Sequence, residues 1–225
     1  MVLRKITRGQ WGSAVGHRLR RVNSRHPWNH NDFFHSWILA KLPDRRVAAL
    51  DIGCGQGGLA LRLAQHFESV VGTELDPTAR TSAENAAREL DNVIVCDRQM
   101  DSWPDDSVDL VTMVASLHHL DVAAALGEAK RILAPGGRLL VVGLAPPRSI
   151  RDFAWDAVST VTNPVIGFVH HPWPSHDGVT LPPFPVKDPE LSFDDLQSLA
   201  KKTLPGSVMR HRVGFRHTLE WTKPR

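Results

Sequence analysis

With 225 residues, 42% of them hydrophobic and 23% charged, the chain has the size and balance of one globular domain able to bury a sizeable core. No apolar run approaches the 18 or more residues of a membrane span, and the opening MVLRKITRGQWGSAVG has no signal-like apolar stretch, so the expected location is cytoplasmic. Cys54 and Cys96 belong to no CxxC pair and read as reduced thiols, which leaves no case for a metal site.

The charge is uneven. Residues 1–25 hold seven basic and no acidic side chains, which leaves 20 basic and 24 acidic groups in the rest, a net charge of −4. The leader, residues 1–30, reads as a partly disordered, solvated segment, although a basic arm could also serve nucleic acid. The body offers no basic surface, which argues against nucleic acid as a partner.

In chain order, Asn31–Lys41 has helical apolar spacing and stops before Pro43. Val47–Ile52 reads as a buried strand ended by glycine, Leu59–Phe67 as a helix and Ser69–Thr73 as a second strand. Pro77 suits the first turn of a helix running through TARTSAENAAREL. Asn92–Cys96 and Val108–Val114 are further strands. Asp121–Leu133 is an amphipathic helix ended by the turn signal Ala134-Pro135-Gly136-Gly137, and Arg138–Gly143 is a fifth strand. Strands alternating with helices imply βαβ units and a parallel sheet covered on both faces. Beyond them, Ser149–Val161 looks helical, and Asn163–Pro189, with seven prolines, reads as irregular. Phe193–Leu204 is helical with Ser192 as its cap, and Ser207–Val213 and Phe215–Thr222 form a closing hairpin around Gly214.

The segment Leu50-Asp51-Ile52-Gly53-Cys54-Gly55-Gln56-Gly57-Gly58 places glycines between a strand and a helix, where a tight turn lets a ligand approach the backbone. It satisfies both GxGxxG and DxGxGxG, so alone it leaves a dinucleotide-dependent oxidoreductase open. Ligands of open α/β sheets bind beyond the carboxyl ends of the strands. Those ends bear Asp51, Glu74, Asp97, and then Ser116, His118 and His119. Asp109 falls at the opposite edge and reads as structural.

In order and spacing, LDIGCGQG, VVGTELD, CDRQMDSWPDDSVDLV, SLHHL and RILAPGGRLLVV resemble the class I S-adenosylmethionine-dependent methyltransferases of small-molecule type, over about residues 31–145. The resemblance implies an α/β, doubly wound, seven-stranded, mostly parallel sheet with an antiparallel last strand. It implies S-adenosylmethionine as cofactor and a methyltransferase domain over residues 31–225, with 145–190 as a substrate lid. Asp51 and Gly53 would hold the methionine ammonium end, with Cys54 and Gly55 close by. Glu74 would accept from both ribose hydroxyls and Asp97 from the adenine amino group, beside the Arg98 backbone. Leu75 and Met113–Ala115 would make apolar contact, and Asn31, Phe34 or His35 could touch the cofactor from the first helix.

A sulfonium methyl group is already activated, so its transfer needs mainly an in-line nucleophile. A hydroxyl acceptor also gains from a base, for which histidine suits neutral pH. His119, with His118, is the expected catalytic pair; His170, His171 and His176 fall in the lid. Trp103, Trp155, Phe168 and Trp173 are candidate pocket aromatics. The loop after the fourth strand has no NPPY or DPPY tetrapeptide, which in the family marks methylation of amino groups on bases or amides. The reading is O- or N-methylation of a small molecule, with an RNA methyltransferase using the basic leader as the other possibility.

Overall fold

Residues 30–170 and 188–225 are described by the computed structural model of the chain, with backbone alone at 30, 161 and 163–170. Nearly all of the basic leader, and the part of the expected lid that holds His171, His176 and Trp173, lie outside the described residues. So do the side chains of Phe168 and His170.

Two short helical stretches, α1 (His30–Phe33) and α2 (His35–Leu39), precede β1 (Ala48–Ile52), α3 (Gly58–Leu63), β2 (Ser69–Thr73), α4 (Pro77–Ala87) and β3 (Val93–Cys96). Then come β4 (Val108–Val114), α5 (Val122–Ile132), β5 (Leu133–Gly143), α6 (Ile150–His170), α7 (Phe193–Thr203), β6 (Val208–Arg212) and β7 (Arg216–Thr222). Among the described residues, seven strands form one sheet in the order β3-β2-β1-β4-β5-β7-β6. The pairs β1–β2, β2–β3, β1–β4 and β4–β5 are parallel, whereas β7 runs antiparallel to both β5 and β6. The order reverses between β1 and β4, so the carboxyl ends of those two strands flank the crevice where open α/β sheets bind ligands.

The central strands are apolar because the sheet is covered on both sides. Leu50, Val111, Leu139, Val141 and Leu219 pack with α5 and α7 on one face. Ala49, Leu110, Leu140 and Val142 pack with Phe34 and Ile38 and with Leu59 and Leu63 of α3 on the other. Caps fix where the helices start: Asp76, Asp121 and Ser192 each accept an N–H from the first turn of α4, α5 and α7.

Two elements depart from the sequence reading. β5 begins at Leu133, so Ala134–Gly137 is no turn but an irregular stretch within the strand, with a register shift against β4. Gly136 takes φ +82°, and a side chain on Gly137 would strike the Ala134 and Asp109 carbonyls, so the two glycines permit a bulge. α6 continues through Pro164 to His170, which replaces the first part of the expected irregular segment. One proline removes a single intrahelical hydrogen bond, and here that does not end the helix.

Asp109 is structural, as its position at the far edge implied. Its Oδ2 accepts the Val47 and Ala48 N–H groups at 2.8 and 3.1 Å, and Arg45 Nε lies 3.3 Å from Oδ1. The carboxylate is 2% exposed and ties the chain entering β1 to β4. Asp109→Ala strands two amide donors and should cost about 3 kcal/mol of unfolding free energy in urea titration. Because the opposite edge is untouched, cofactor affinity of the folded variant should stay unchanged.

Candidate active site

The loop after β1 is built by left-handed glycines. Gly53, Gly55 and Gly57 take φ of +69°, +57° and +85°. The Gly53 and Cys54 N–H groups both donate to the Thr73 carbonyl, at 2.8 and 2.9 Å, so the loop folds back over the end of β2. A side chain on Gly53 would collide with Ser116, whose hydroxyl donates to the Ile52 carbonyl. Gly57 sits against Ala83 of α4. Above Gly55 the space is open.

Two acids anchor this loop. Asp51 is buried and accepts from Thr112 Oγ1 at 2.7 Å. Burial pushes its carboxyl up to about 6 against the pull of the Thr112 bond, with the Glu74 charge adding to the rise. Glu74 Oε2 accepts the Gly55 N–H and its Oε1 the Asp76 N–H, both at 2.9 Å. Each Glu74 oxygen keeps a second lone pair for a ligand hydroxyl. The Cys54 thiol is held in its neutral form by burial and by the charges of Asp51 and Glu74.

Leu75, 64% exposed, and Asp97 stand at the ends of β2 and β3 on the same edge. Arg80, which sequence reasoning missed, joins them to the loop: its Nη1 donates to the Glu74 carbonyl at 3.0 Å and lies 3.4 Å from Asp97 Oδ2. Arg98 is exposed and stacks its guanidinium on Trp103, 4.6 Å from the ring centre. Ala115 leaves β4 with φ +56°, an uncommon conformation for a residue with a Cβ, and its N–H donates to the Val142 carbonyl.

A cleft of about 490 Å³ opens beside these groups. One wall is the turn Leu117–His119 after β4, and the other walls include Leu144 after β5 and Leu196 and Leu199 of α7. His118 and His119 both line it, with ring centres 4.1 Å apart. His217 of β7, also missed in the sequence, lies across Gly143 at the inner wall and is 2% exposed. Burial lowers it to about 3, with His211, Arg216 and His118 adding to the effect. Its one signal was position: it shares the inward face with Leu219 and Trp221, where a histidine is out of pattern.

Other expectations are corrected. Met113 is fully buried in the core and presents no surface to a ligand. Trp103 packs in the core beneath Arg98 and is not among the residues that line this cleft. Phe34 and His35 are buried at 3% each, Phe34 as part of the core and His35 against Gly58. Asn31 accepts from Arg216 Nη2 at 3.2 Å, which ties α1 to the β6–β7 hairpin.

A family model described as a methyltransferase domain matches residues 50–141. An uncharacterized methyltransferase of Mycobacterium tuberculosis is 30% identical over 200 residues, 88% of this chain and 98% of that protein. A demethylmenaquinone methyltransferase of Thermus thermophilus is 37% identical over 48% of this chain and 51% of its own. Among solved structures, an S-adenosylmethionine-dependent methyltransferase from Aquifex aeolicus superposes with a TM-score of 0.58 at 16% identity, covering 92% of this chain and 97% of that one.

The loop geometry separates two glycine substitutions. Both Gly53→Ala and Gly55→Ala should lose about 1–2 kcal/mol to the left-handed backbone. Gly53→Ala should lose about 1–3 kcal/mol more, because Ser116 blocks its side chain; thermal denaturation of the pair reads the difference. With this loop, this strand order and a relative alike over nearly its whole length, the chain belongs to the class I S-adenosylmethionine-dependent methyltransferases.

Proposed function

We propose that this enzyme methylates a hydroxyl oxygen or an amine nitrogen of a small, largely apolar molecule seated in the cleft between the ends of β4 and β5. The observation that carries the reading is the cleft itself: leucine side chains form much of it, and His118 and His119 sit on the turn that follows Ser116. Ser116, the residue before the cleft wall that begins at Leu117, packs on Gly53, so that wall starts next to the glycine loop. The Thermus relative, by its name, also acts on a small molecule.

The residues present fit the cofactor. Open space over Gly55 admits a ligand against the backbone, and the acids at three neighbouring strand ends match its donor groups. Asp51, with the backbone of Gly53, Cys54 and Gly55, would hold the methionine ammonium. Glu74 would accept from the ribose hydroxyls with the lone pairs its two backbone bonds leave. Asp97 would accept from the adenine amino group beside the Arg98 backbone, while Leu75 and Ala115 would supply apolar contact. When bound, S-adenosylmethionine supplies a methyl group activated by its sulfonium. The chain's part is to align acceptor and donor and keep water out, a contribution that can reach about 7–11 kcal/mol in well-oriented reactions. His119, exposed at the cleft, takes the acceptor proton, and His118 beside it orients the acceptor.

Calorimetry tests the cofactor half. Glu74→Ala should weaken S-adenosylmethionine binding at least tenfold, since it removes the ribose acceptor and unties Gly55; equal affinity would remove Glu74 from the site. Wild-type affinity should level off above about pH 7. Below pH 6 it should fall by up to about tenfold per pH unit, because Asp51 must give up its proton to face a cation. For the acceptor half, His119→Ala should lower turnover about 100-fold with cofactor affinity intact, measured as S-adenosylhomocysteine release against a panel of apolar hydroxyl and amine compounds. A wild-type rate would exclude His119 as the base.

A further inference from the structure

A second cavity, of about 30 Å³, adjoins the cleft. His217 lines both, as the one residue that the two cavities share. Facing it across the small cavity are Asp152 of α6 and His211 of β6. His211 is held rigidly, stacked between Phe193 at 3.7 Å and Trp155 at 5.9 Å between ring centres. Three polar atoms at this place make no hydrogen bond among the described residues: Asp152 Oδ1, His211 Nε2 and His217 Nε2. Asp152 and His217 are 6% and 2% exposed. Buried polar atoms are rarely left without a partner, and several around one small polar cavity are the usual setting of a bound water, for which about 10–15 Å³ of water-accessible space is enough. Asp152 Oδ1 lies 3.6 Å from His211 Nε2, too far for a direct hydrogen bond and close enough for one water to reach both.

We propose that this cavity holds one bound water joining Asp152, His211 and His217, and that the resulting chain fixes His217 as a second group, beside His118, that orients the acceptor's hydroxyl at the inner wall of the cleft. The functional half rests on the cleft being the acceptor site. The direction of the chain follows from counting hydrogens. Asp152 Oδ2 is taken by the Arg148 and Ser149 N–H groups at 3.1 and 2.9 Å, which leaves Oδ1 for the water. Burial opposes the Asp152 charge, but those bonds, with the Ser149 hydroxyl and His211, hold the carboxyl below its ordinary range, so it accepts only. Water has two hydrogens. One goes to Asp152, so the other can serve only one imidazole, and the second ring must present its own N–H. The tautomers of His211 and His217 are therefore linked, and Asp152 sets the polarity.

The test is ring-nitrogen NMR on the full chain labelled with ¹⁵N-histidine. Asp152→Asn keeps an oxygen for the Arg148 and Ser149 N–H groups just before α6 and turns its NH₂ toward the water, reversing the polarity. His211→Phe preserves the aromatic stack and removes the nitrogen. In each folded variant the water has a hydrogen free for His217, whose Nε2 should then carry no proton, whereas in the wild type one of the two rings carries its proton on Nε2. An Nε2-protonated His217 in either folded variant, or a wild type with neither ring protonated there, overturns the link. Phenol, an apolar hydroxyl probe, should shift the His217 signals of the wild type, whereas toluene should not; equal or absent responses overturn the orienting role. Neither measurement needs cofactor or turnover, so failure here leaves the calorimetric reading of the glycine loop standing, and the converse also holds.

Discussion

The bond from the Gly55 N–H to the Glu74 carboxylate is the contact on which the cofactor edge depends. A loop with three glycines in left-handed conformation loses much chain entropy when it orders, and nothing in its own short side chains offsets that loss. Glu74 does so from the neighbouring strand, one oxygen on Gly55 and the other on Asp76 at the start of α4. The same carboxylate thereby fixes the turn after β1 and the cap region after β2. A ligand meeting its remaining lone pairs meets an acceptor whose direction is already set, which lowers the ordering cost of binding.

A parallel logic runs through the β4 end. Asp51 bonds to Thr112, Ser116 reaches the Ile52 carbonyl, and Ala115 accepts an uncommon backbone conformation between them. These contacts put the histidine turn next to the glycine loop, so the place where a donor would lie and the place where an acceptor would lie are adjoining parts of one construction. Strain at Ala115 fits this position, since unusual backbone angles persist where surrounding structure over-determines them.

Much of the fold was legible because its signals are local. Ser69–Thr73 and Val108–Val114 are bounded as their apolar runs indicate, and Asp76, Asp121 and Ser192 mark helix starts by their short acceptor side chains. The departures come where distant groups decide. Ala134–Gly137 has every mark of a turn, yet pairing against β4 draws it into the sheet. Thr112 and Asp51 lie 61 positions apart, and Arg80 finds its role only when β2 and β3 bring their ends together. His211 and His217 stand three residues either side of Gly214 and pair across the hairpin, but no spacing in one dimension relates them to Asp152. The carboxylates of the cofactor edge stood out because each directly follows its strand; the polar cluster behind the cleft has no such regularity.

The position of β7 bears on how the sheet can be assembled. β6 is made before β7 yet touches the sheet only through it, since β7 lies between β5 and β6. The outermost strand must therefore wait for a later one, and the two join the β5 edge as one antiparallel ribbon. Until that ribbon docks, β5 exposes a row of unmatched amides and carbonyls, an invitation to pair with another chain. A nascent molecule of this enzyme is thus most prone to aggregate at the same border where, once complete, His217 closes the cleft.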